Sequence, residues 1–397
     1  KEVHLSYKNN STDSINSTTT KNVAFIINSL EGGGAERVMA NALRIMQSYY
    51  EQQNTGVYLV LLDSTEESQQ VPEYVNKITL NTQGSLVNGY KQLRTTLQSI
   101  APEYCVSFLT RANYLTVLLA KKLKFKAIIS ERVNTSSHFS GGLKDTVSKL
   151  LIRLLYPKAD KVIAVSEGVK NDLERNFGVP GNKIGVMYNP FNVPNLTARA
   201  ASPNPEAEAL KPYIIGTGRL VKNKNFSLML NAYAQSGLTQ NLLILGKGEL
   251  EDSLKAECRD LGIADKVHFL GFQQNPYSFL KHADFFVSTS NAEGFPNAIV
   301  EAMCLGKPVV VTNCESGPAE ILTGDSDYAV ESYQQCEFGM LCAVNNPEGV
   351  KHALVEMAKP HMIEHYQAKS AERSQQYSED AFQRTLLAHI NSVVATQ

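Results

Sequence analysis

The chain predicts two α/β domains, each a Rossmann-like parallel sheet, facing a central cleft. Three observations carry that expectation. Its 397 residues exceed what one hydrophobic core usually organises. From Val23 to Met187, short apolar runs alternate with helix-length amphipathic stretches, the pattern of a parallel sheet covered on both faces. A Pro-rich interval then breaks the alternation, which restarts at Tyr213.

Each element follows from a local pattern. Val23 to Ile27 is a short buried strand, and Gly32-Gly-Gly34 leads into a helix from Ala35 to Tyr49 with Val38, Ala42, Ile45 and Met46 on one side. Val57 to Leu62 makes a second strand and Ile78 to Leu80 a third. Helices near 86–100 and 112–121 flank the strand Tyr104 to Phe108. Ala127 to Ser130, Val162 to Val165 and Ile184 to Met187 continue the series. Asn189 to Pro212 holds five prolines and no periodic apolar run, so it reads as a linker. Beyond it come the strands Tyr213 to Gly216, Leu242 to Leu245, Val267 to Leu270, Phe285 to Ser288 and Val309 to Thr312. Helices near 225–236, 249–261, 276–282 and 298–305 separate them, and two near 347–358 and 379–394 close the chain.

The expected division is a first domain over 21–190, a linker over 191–211 and a second domain over 212–378. Residues 379–397 form a helix for which packing back on the first domain is one option. Residues 1–20 are polar and begin without Met; they are expected to be poorly ordered, trimmed or of non-native origin. A cleft between the C-terminal ends of two such sheets is the usual ligand position.

Composition narrows the class. Apolar residues make up 43% and charged residues 19%, an ordinary soluble balance, and no run of 18 apolar residues is present to span a bilayer. The six Cys show neither CxxC pairing nor zinc spacing, and reduced core thiols are expected. The net charge of -1 conceals an asymmetry: residues 1–190 hold 22 Lys+Arg against 16 Asp+Glu, and the rest 16 against 23. Residues 75–161 alone hold 14 basic and 4 acidic residues, a local +10 that would attract lipid headgroups, nucleic acid or an acidic acceptor.

The most informative stretch is Glu293-Gly-Phe-Pro-Asn-Ala-Ile-Val-Glu301. A strand ends before it and a helix starts near Asn297, a good N-cap that would leave the next amides open to an anion. Glu301 lies about 6 Å further along the helix axis. A lone acid near a positive helix end is unremarkable in itself. A capping box, however, would place Glu at 300, where Val stands, and Glu293 has no such explanation. Phosphate for the amides and hydroxyls for the two carboxylates is the fitting ligand. Gly218-Arg-Leu-Val-Lys-Asn-Lys-Asn225 follows a strand, and the fork of Arg219 with the point charge of Lys224 suits a diphosphate. Gly246-Lys-Gly248 allows a second close backbone approach. Gly33 and Gly34 permit another, although Arg37 stands where a dinucleotide fingerprint needs Gly; Asp63 ends the second strand as a ribose-binding Asp would. Asp325-Ser-Asp327 lies in a polar segment far from these loops and reads as a turn.

Together with Gly306-Lys-Pro-Val-Val310 and Gly317-Pro-Ala-Glu320, these motifs in this order resemble glycosyltransferase family 4, retaining enzymes of GT-B architecture. The resemblance spans nearly all of 22–395 and is strongest over 216–322. It implies transfer of a hexosyl or N-acetylhexosaminyl group from a nucleotide diphosphate sugar, by family frequency a UDP-sugar. The acceptor is expected to be a lipid-linked molecule or a glycan, in bacterial surface polysaccharide or glycoconjugate synthesis. Arg219, Lys224 and Glu293 take the catalytic roles: the two cations hold the diphosphate and Glu293 the sugar hydroxyls. Glu301 meets the ribose. Gly33, Gly34, Gly218, Gly246, Phe272, Gly294, Phe295, Asn297 and Ala298 line the donor. Fixed cations facing the charge that develops on the leaving diphosphate make a metal unnecessary. No cofactor and no nucleic-acid partner is implied, the nucleotide sugar being a substrate.

One position departs from the family. Where many members carry His after Ser-Glu, this chain has Arg132. Glu131, Arg132 and His138 are therefore assigned to the acceptor, Arg132 pointing into the cleft opposite Glu293 and holding an anion. Leu143 to Tyr156 reads as an amphipathic helix with apolar Val147, Leu150, Leu151, Leu154 and Leu155 and basic Lys144, Lys149 and Arg153; Lys121 to Lys126 adds to that surface. Two readings stay open for it: a helix on an anionic bilayer, or an ordinary half-buried helix. The first would put a cytoplasmic protein peripherally on the inner membrane face. A nucleotide-sugar 2-epimerase and a non-catalytic sugar-nucleotide-binding module are the competing functions.

Overall fold

The computed structural model describes residues 21–31, 33–138 and 142–394, without the side chains of Ser137, His138, Leu143 and Lys144. Residues 1–20, expected to lack order, lie outside the described part.

Seven strands build the first sheet: β1 (Asn22–Ile27), β2 (Gly56–Leu61), β3 (Val75–Thr79), β4 (Tyr104–Phe108), β5 (Lys126–Glu131), β6 (Lys161–Ala164) and β7 (Ile184–Val186). Their order is β3-β2-β1-β4-β5-β6-β7, every pair parallel. The central strands are buried along most of their length, as in Phe25, Ile26 and Ile27, because helices cover both faces. Strand β3 starts at Val75, earlier than its apolar residues suggest, because its pairing with β2 begins at Val57↔Val75 and runs through the exposed Asn76 and Lys77.

The second sheet repeats the plan with β8 (Tyr213–Thr217), β9 (Asn241–Leu245), β10 (Val267–Gly271), β11 (Phe286–Ser288), β12 (Val309–Thr312), β13 (Tyr333–Gln335) and β14 (Met340–Cys342). Its order is β10-β9-β8-β11-β12-β14-β13. The antiparallel edge pair β13–β14 was not foreseen, since Tyr333-Gln-Gln335 is short, polar and without alternation. A helix over Pro360–Ser374 was also missed.

The Pro-rich interval is not the irregular linker that its composition suggests. It contains the helices Val193–Ala200 and Pro205–Ala209, capped by Asn192 and Asn204, with Pro194 and Pro205 in their first turns. There a missing N–H costs nothing, so these prolines start helices. Leu196, Ala200 and Ala207 are buried in the core cluster that continues into both domains.

The chain crosses between the sheets twice. Phe191 pairs with Ser378, and the Phe191 amide donates to the Tyr377 carbonyl at 2.8 Å, so the two crossings run side by side. The last helix, Glu379–Asn391, then lies against the first sheet's layer. Phe382, Leu386 and Ile390 join the core of β1 and β2, Glu379 pairs with Arg44, and His389 Nε2 meets the Val186 carbonyl at 3.0 Å.

Candidate active site

In each sheet the strand order reverses between the first strand and its later neighbour, β1 beside β4 and β8 beside β11. Connections leave such a pair toward opposite faces, opening a crevice at the C-terminal strand ends. In the second domain the two loops bordering it are Gly218–Asn225, after β8, and Thr289–Pro296, after β11.

These loops are stitched together. The Asn291 amide donates to the Asn223 carbonyl at 2.9 Å, Asn223 Nδ2 to the Ala292 carbonyl at 3.0 Å, and Thr289 Oγ1 to the Asn225 carbonyl at 2.9 Å. The stitching brings Lys224 Nζ onto Glu293 Oε1 as a partly buried ion pair. Arg219 stands exposed on the same loop. Behind them, Gly246 is a backbone necessity: at its φ of 140° a Cβ would stand 1.8 Å from the Gly218 carbonyl oxygen. Phe272 is 73% exposed just past β10, its ring open to a flat partner.

Three expectations for the following helix need correction. The helix runs Asn297–Cys304 with Pro296 at the cap position, so Asn297 is its first residue, and its side chain caps nothing. The Asn297 oxygen instead accepts from Asn189 Nδ2 at 2.6 Å. Nor is the Ile299 amide open to an anion, since it donates to the Pro296 carbonyl at 3.0 Å. Phe295 does not line a donor: its ring is buried against Tyr188 and Tyr377, with centroids 5.5 and 5.6 Å away. An aromatic beside a motif is drawn inward by its apolar area.

Glu301 sits one turn in, accepting from Tyr277 at 3.3 Å, and the Arg199 guanidinium lies 4.6 Å over the Tyr277 ring. Burial raises the Glu301 carboxyl above its ordinary value, while Arg37, Tyr277 and Arg199 pull it back. Arg37 belongs to the first-domain helix Gly34–Ile45, capped by Gly33, so a cation of that domain acts on Glu301. Tyr277 and Arg199 were not singled out from sequence; they lie 24 and 102 residues from Glu301, and no local pattern links them.

The first domain overturns more. Glu131 is 2% exposed, accepting the Tyr156 hydroxyl at 2.7 Å and the Arg132 amide at 3.0 Å, and burial pushes its pKa up to about 7 against those hydrogen bonds. It cannot touch an acceptor. Arg132 is 8% exposed and its guanidinium turns into its own domain. It donates to Asn189 Oδ1, to Ser130 Oγ at 3.3 Å and to the Met187 carbonyl at 3.4 Å, and lies 5.2 Å over Phe108. Burial lowers its pKa to about 9, with Glu131 opposing that shift. The Arg132 backbone meets the second domain: a Cβ on Gly294 would stand 3.0 Å from its carbonyl oxygen. The His138 side chain lies outside the described residues. Asp63 is taken by Arg111 at 2.5 Å and by Thr82, hydrogen bonds that outweigh burial and hold its carboxylate low. Asp325-Ser-Asp327 forms a turn, the Asp327 amide donating to Asp325 Oδ1 at 2.9 Å. Among the described residues no group of three or more His, Cys, Asp or Glu is gathered as for a metal.

The helix Leu143–Leu155 carries two apolar stripes. Ile152 and Leu155 face the core, whereas Val147, Leu150 and Leu154 are 56%, 55% and 52% exposed. Leu118 on the neighbouring helix is exposed too, with Lys121 and Lys122 in that helix's last turn. Among the described residues no helix is long and apolar enough to cross a membrane.

Two Rossmann-like sheets with facing crevices, one edged by paired basic and acidic loops, define the GT-B class of folds. The chain belongs to the glycosyltransferases. Residues 199–368 match the family described as Glycosyl transferases group 1, and residues 89–193 match Glycosyltransferase Family 4. Over 385 residues it is 31% identical to the N-acetylgalactosamine-N,N'-diacetylbacillosaminyl-diphospho-undecaprenol 4-alpha-N-acetylgalactosaminyltransferase of Campylobacter jejuni, covering 93% of this chain and 99% of that protein. It is 29% identical over 228 residues to the lipopolysaccharide 1,6-galactosyltransferase of Escherichia coli, covering 56% of this chain and 60% of that one. Among solved structures, Anabaena Alr3699/HepE in complex with UDP superposes with a TM-score of 0.73 at 18% identity, over 93% of this chain and 99% of that one.

Proposed function

We propose that this glycosyltransferase moves a sugar, with retention at the anomeric carbon, from a UDP-sugar to a lipid-linked diphosphate saccharide in bacterial glycoconjugate synthesis. The observation that carries this is the Lys224–Glu293 pair at the mouth of the second crevice, with Arg219 on the same loop and Glu301 one helical turn inside. A diphosphate entering there competes for Lys224 and frees Glu293 for sugar hydroxyls. Arg219 and Lys224 then face the negative charge that grows on the leaving group, the arrangement that lowers such a barrier most. Glu301 takes the ribose diol. Retention rests on the resemblance of the motifs from Gly218 to Glu301 to those of retaining GT-B enzymes. The C. jejuni relative's name specifies an alpha transfer onto a diphospho-undecaprenol-linked sugar, and the Anabaena neighbour holds UDP. The exposed stripe Val147-Leu150-Leu154, within the strongly basic stretch 75–161, would bring such an acceptor's anionic membrane to the cleft.

Incubation with a panel of UDP-sugars tests the reading, through slow donor hydrolysis without acceptor and transfer to undecaprenyl-diphosphate saccharides with it. Absence of both UDP release and transfer with every donor would overturn it. Activity should survive exhaustive chelation, because the side chains already supply the positive field; loss restored by Mg²⁺ or Mn²⁺ would count against that part.

A further inference from the structure

A chain of three side chains runs from the first domain into the helix that follows the Glu293 loop. Arg132 stands just past β5, Asn189 just past β7 at the first crossing, and Asn297 opens the helix Asn297–Cys304. The Arg132 guanidinium donates to Asn189 Oδ1, and Asn189 Nδ2 donates to Asn297 Oδ1 at 2.6 Å. Arg132 is locked by Ser130, the Met187 carbonyl and the Phe108 ring. The backbone beside it carries the same loop, since Gly294 packs on the Arg132 carbonyl and its own carbonyl accepts from Ser166 Oγ at 3.3 Å.

The chemistry of the first member orients the other two. A guanidinium has five donors and no acceptor, whereas a side-chain amide has both and turns over readily. Asn189 must therefore offer its oxygen to Arg132, which leaves its NH2 to Asn297. That NH2 binds only an oxygen, so Asn297 is turned with its carbonyl toward Asn189 and its NH2 on the other side. Next to a diphosphate the two orientations differ in sign: an NH2 donates to phosphate oxygens, and a carbonyl repels them.

We propose that Arg132 is a positioning residue of the donor site, acting through Asn189 to hold the Asn297 amide with its NH2 toward the diphosphate. The inference rests on the reading of Glu293–Glu301 as the donor loop. It also makes donor binding depend on the contact between the domains, because two of the three residues belong to the first.

Asn189→Asp tests it directly. The new carboxylate still accepts from Arg132, and the buried cation gains a counter-charge, so thermal stability should hold or rise. It cannot donate to Asn297, whose amide must then turn its oxygen toward the ligand. UDP affinity, measured by calorimetry on the full chain, should fall about tenfold or more, the scale of one hydrogen bond to a charged group. Arg132→Lys, which keeps a donor, should retain most of the affinity that Arg132→Met loses. Should the Asp variant fail to fold, this pair decides alone: equal UDP affinity in Arg132→Lys and Arg132→Met overturns the proposal. So does unchanged affinity in folded Asn189→Asp while Glu301→Gln weakens UDP binding. If Glu301→Gln also leaves UDP binding untouched, the donor-loop reading itself fails and the relay falls with it.

Discussion

Lys224 and Glu293 hold each other where a diphosphate and a sugar would each claim one of them. Lys224→Ala should cut turnover at saturating donor by about 10²- to 10³-fold, the usual loss when a group facing developing charge is removed. Stability should change little, because the pair is partly solvated. Glu293→Gln is the sharper case. It releases Lys224 from its carboxylate, so UDP should bind at least as tightly while turnover falls, since the sugar loses its strongest acceptor. Calorimetry beside steady-state kinetics reads both numbers. Near-normal turnover in Lys224→Ala would remove the pair from the mechanism. Arg132 gives the complementary lesson: it is charged and follows a strand, yet its guanidinium turns inward because Asn189, Ser130 and Phe108 offer more there than water does.

The helix Leu143–Leu155 shows how one element serves two faces. With a single stripe it would be an ordinary cover for the sheet. The residues Val147, Leu150 and Leu154, spaced three and four apart, form a second stripe pointing outward. Exchanging the three for Asn should leave the fold intact, because their side chains are largely exposed, and should abolish sedimentation with anionic liposomes. For the natural chain that sedimentation should weaken as salt rises, since charges are screened beyond roughly 8 Å at physiological ionic strength. Equal binding to neutral and anionic vesicles would contradict the electrostatic half of the argument.

Across the whole molecule the domains meet in a closed contact with titratable character. Glu320 of the second domain accepts the Glu167 amide, at the start of a first-domain helix, at 2.7 Å; Asn134 Nδ2 donates to Ser316 Oγ at 3.0 Å, and Arg175 meets Asp327 at 3.1 Å. Burial pushes the Glu320 pKa up to about 7; the Glu167 amide opposes this and the Glu167 carboxylate adds to it. The sign follows from proton binding. A carboxyl with a raised folded pKa holds its proton longer when folded, so its contribution is full below its ordinary value and is lost as pH rises toward 7. Glu320→Gln, which cannot ionise, should therefore melt higher than the natural chain at pH 8 and at the same temperature at pH 4.5. The gain should be roughly 2–4 °C for each kcal/mol recovered. A lower melting point at pH 8 would show that the carboxylate is the preferred form.

How much of this was legible in the sequence depends on the range of the interaction. Strand–helix alternation is local, and it yielded the two parallel sheets and most of their elements. The loops Gly218–Asn225 and Glu293–Asn297 were equally visible, because strand ends and glycine turns are written in adjacent residues. Prolines misled over 191–211, where their helix-starting role depends on the Asn caps before them, and the polar edge strand β13 needed its partner β14 to exist. The direction of each side chain belonged to the tertiary structure alone. Lys224 meets Glu293 across 69 residues and Asn189 meets Asn297 across 108, separations that no local periodicity spans. Phe295, Glu131 and Arg132 were assigned to ligands by position and withdrawn by packing, because a buried ring, carboxylate or guanidinium goes where its area or its hydrogen bonds are best satisfied. Sequence determined which loops border the cleft; the fold determined which of their side chains enter it.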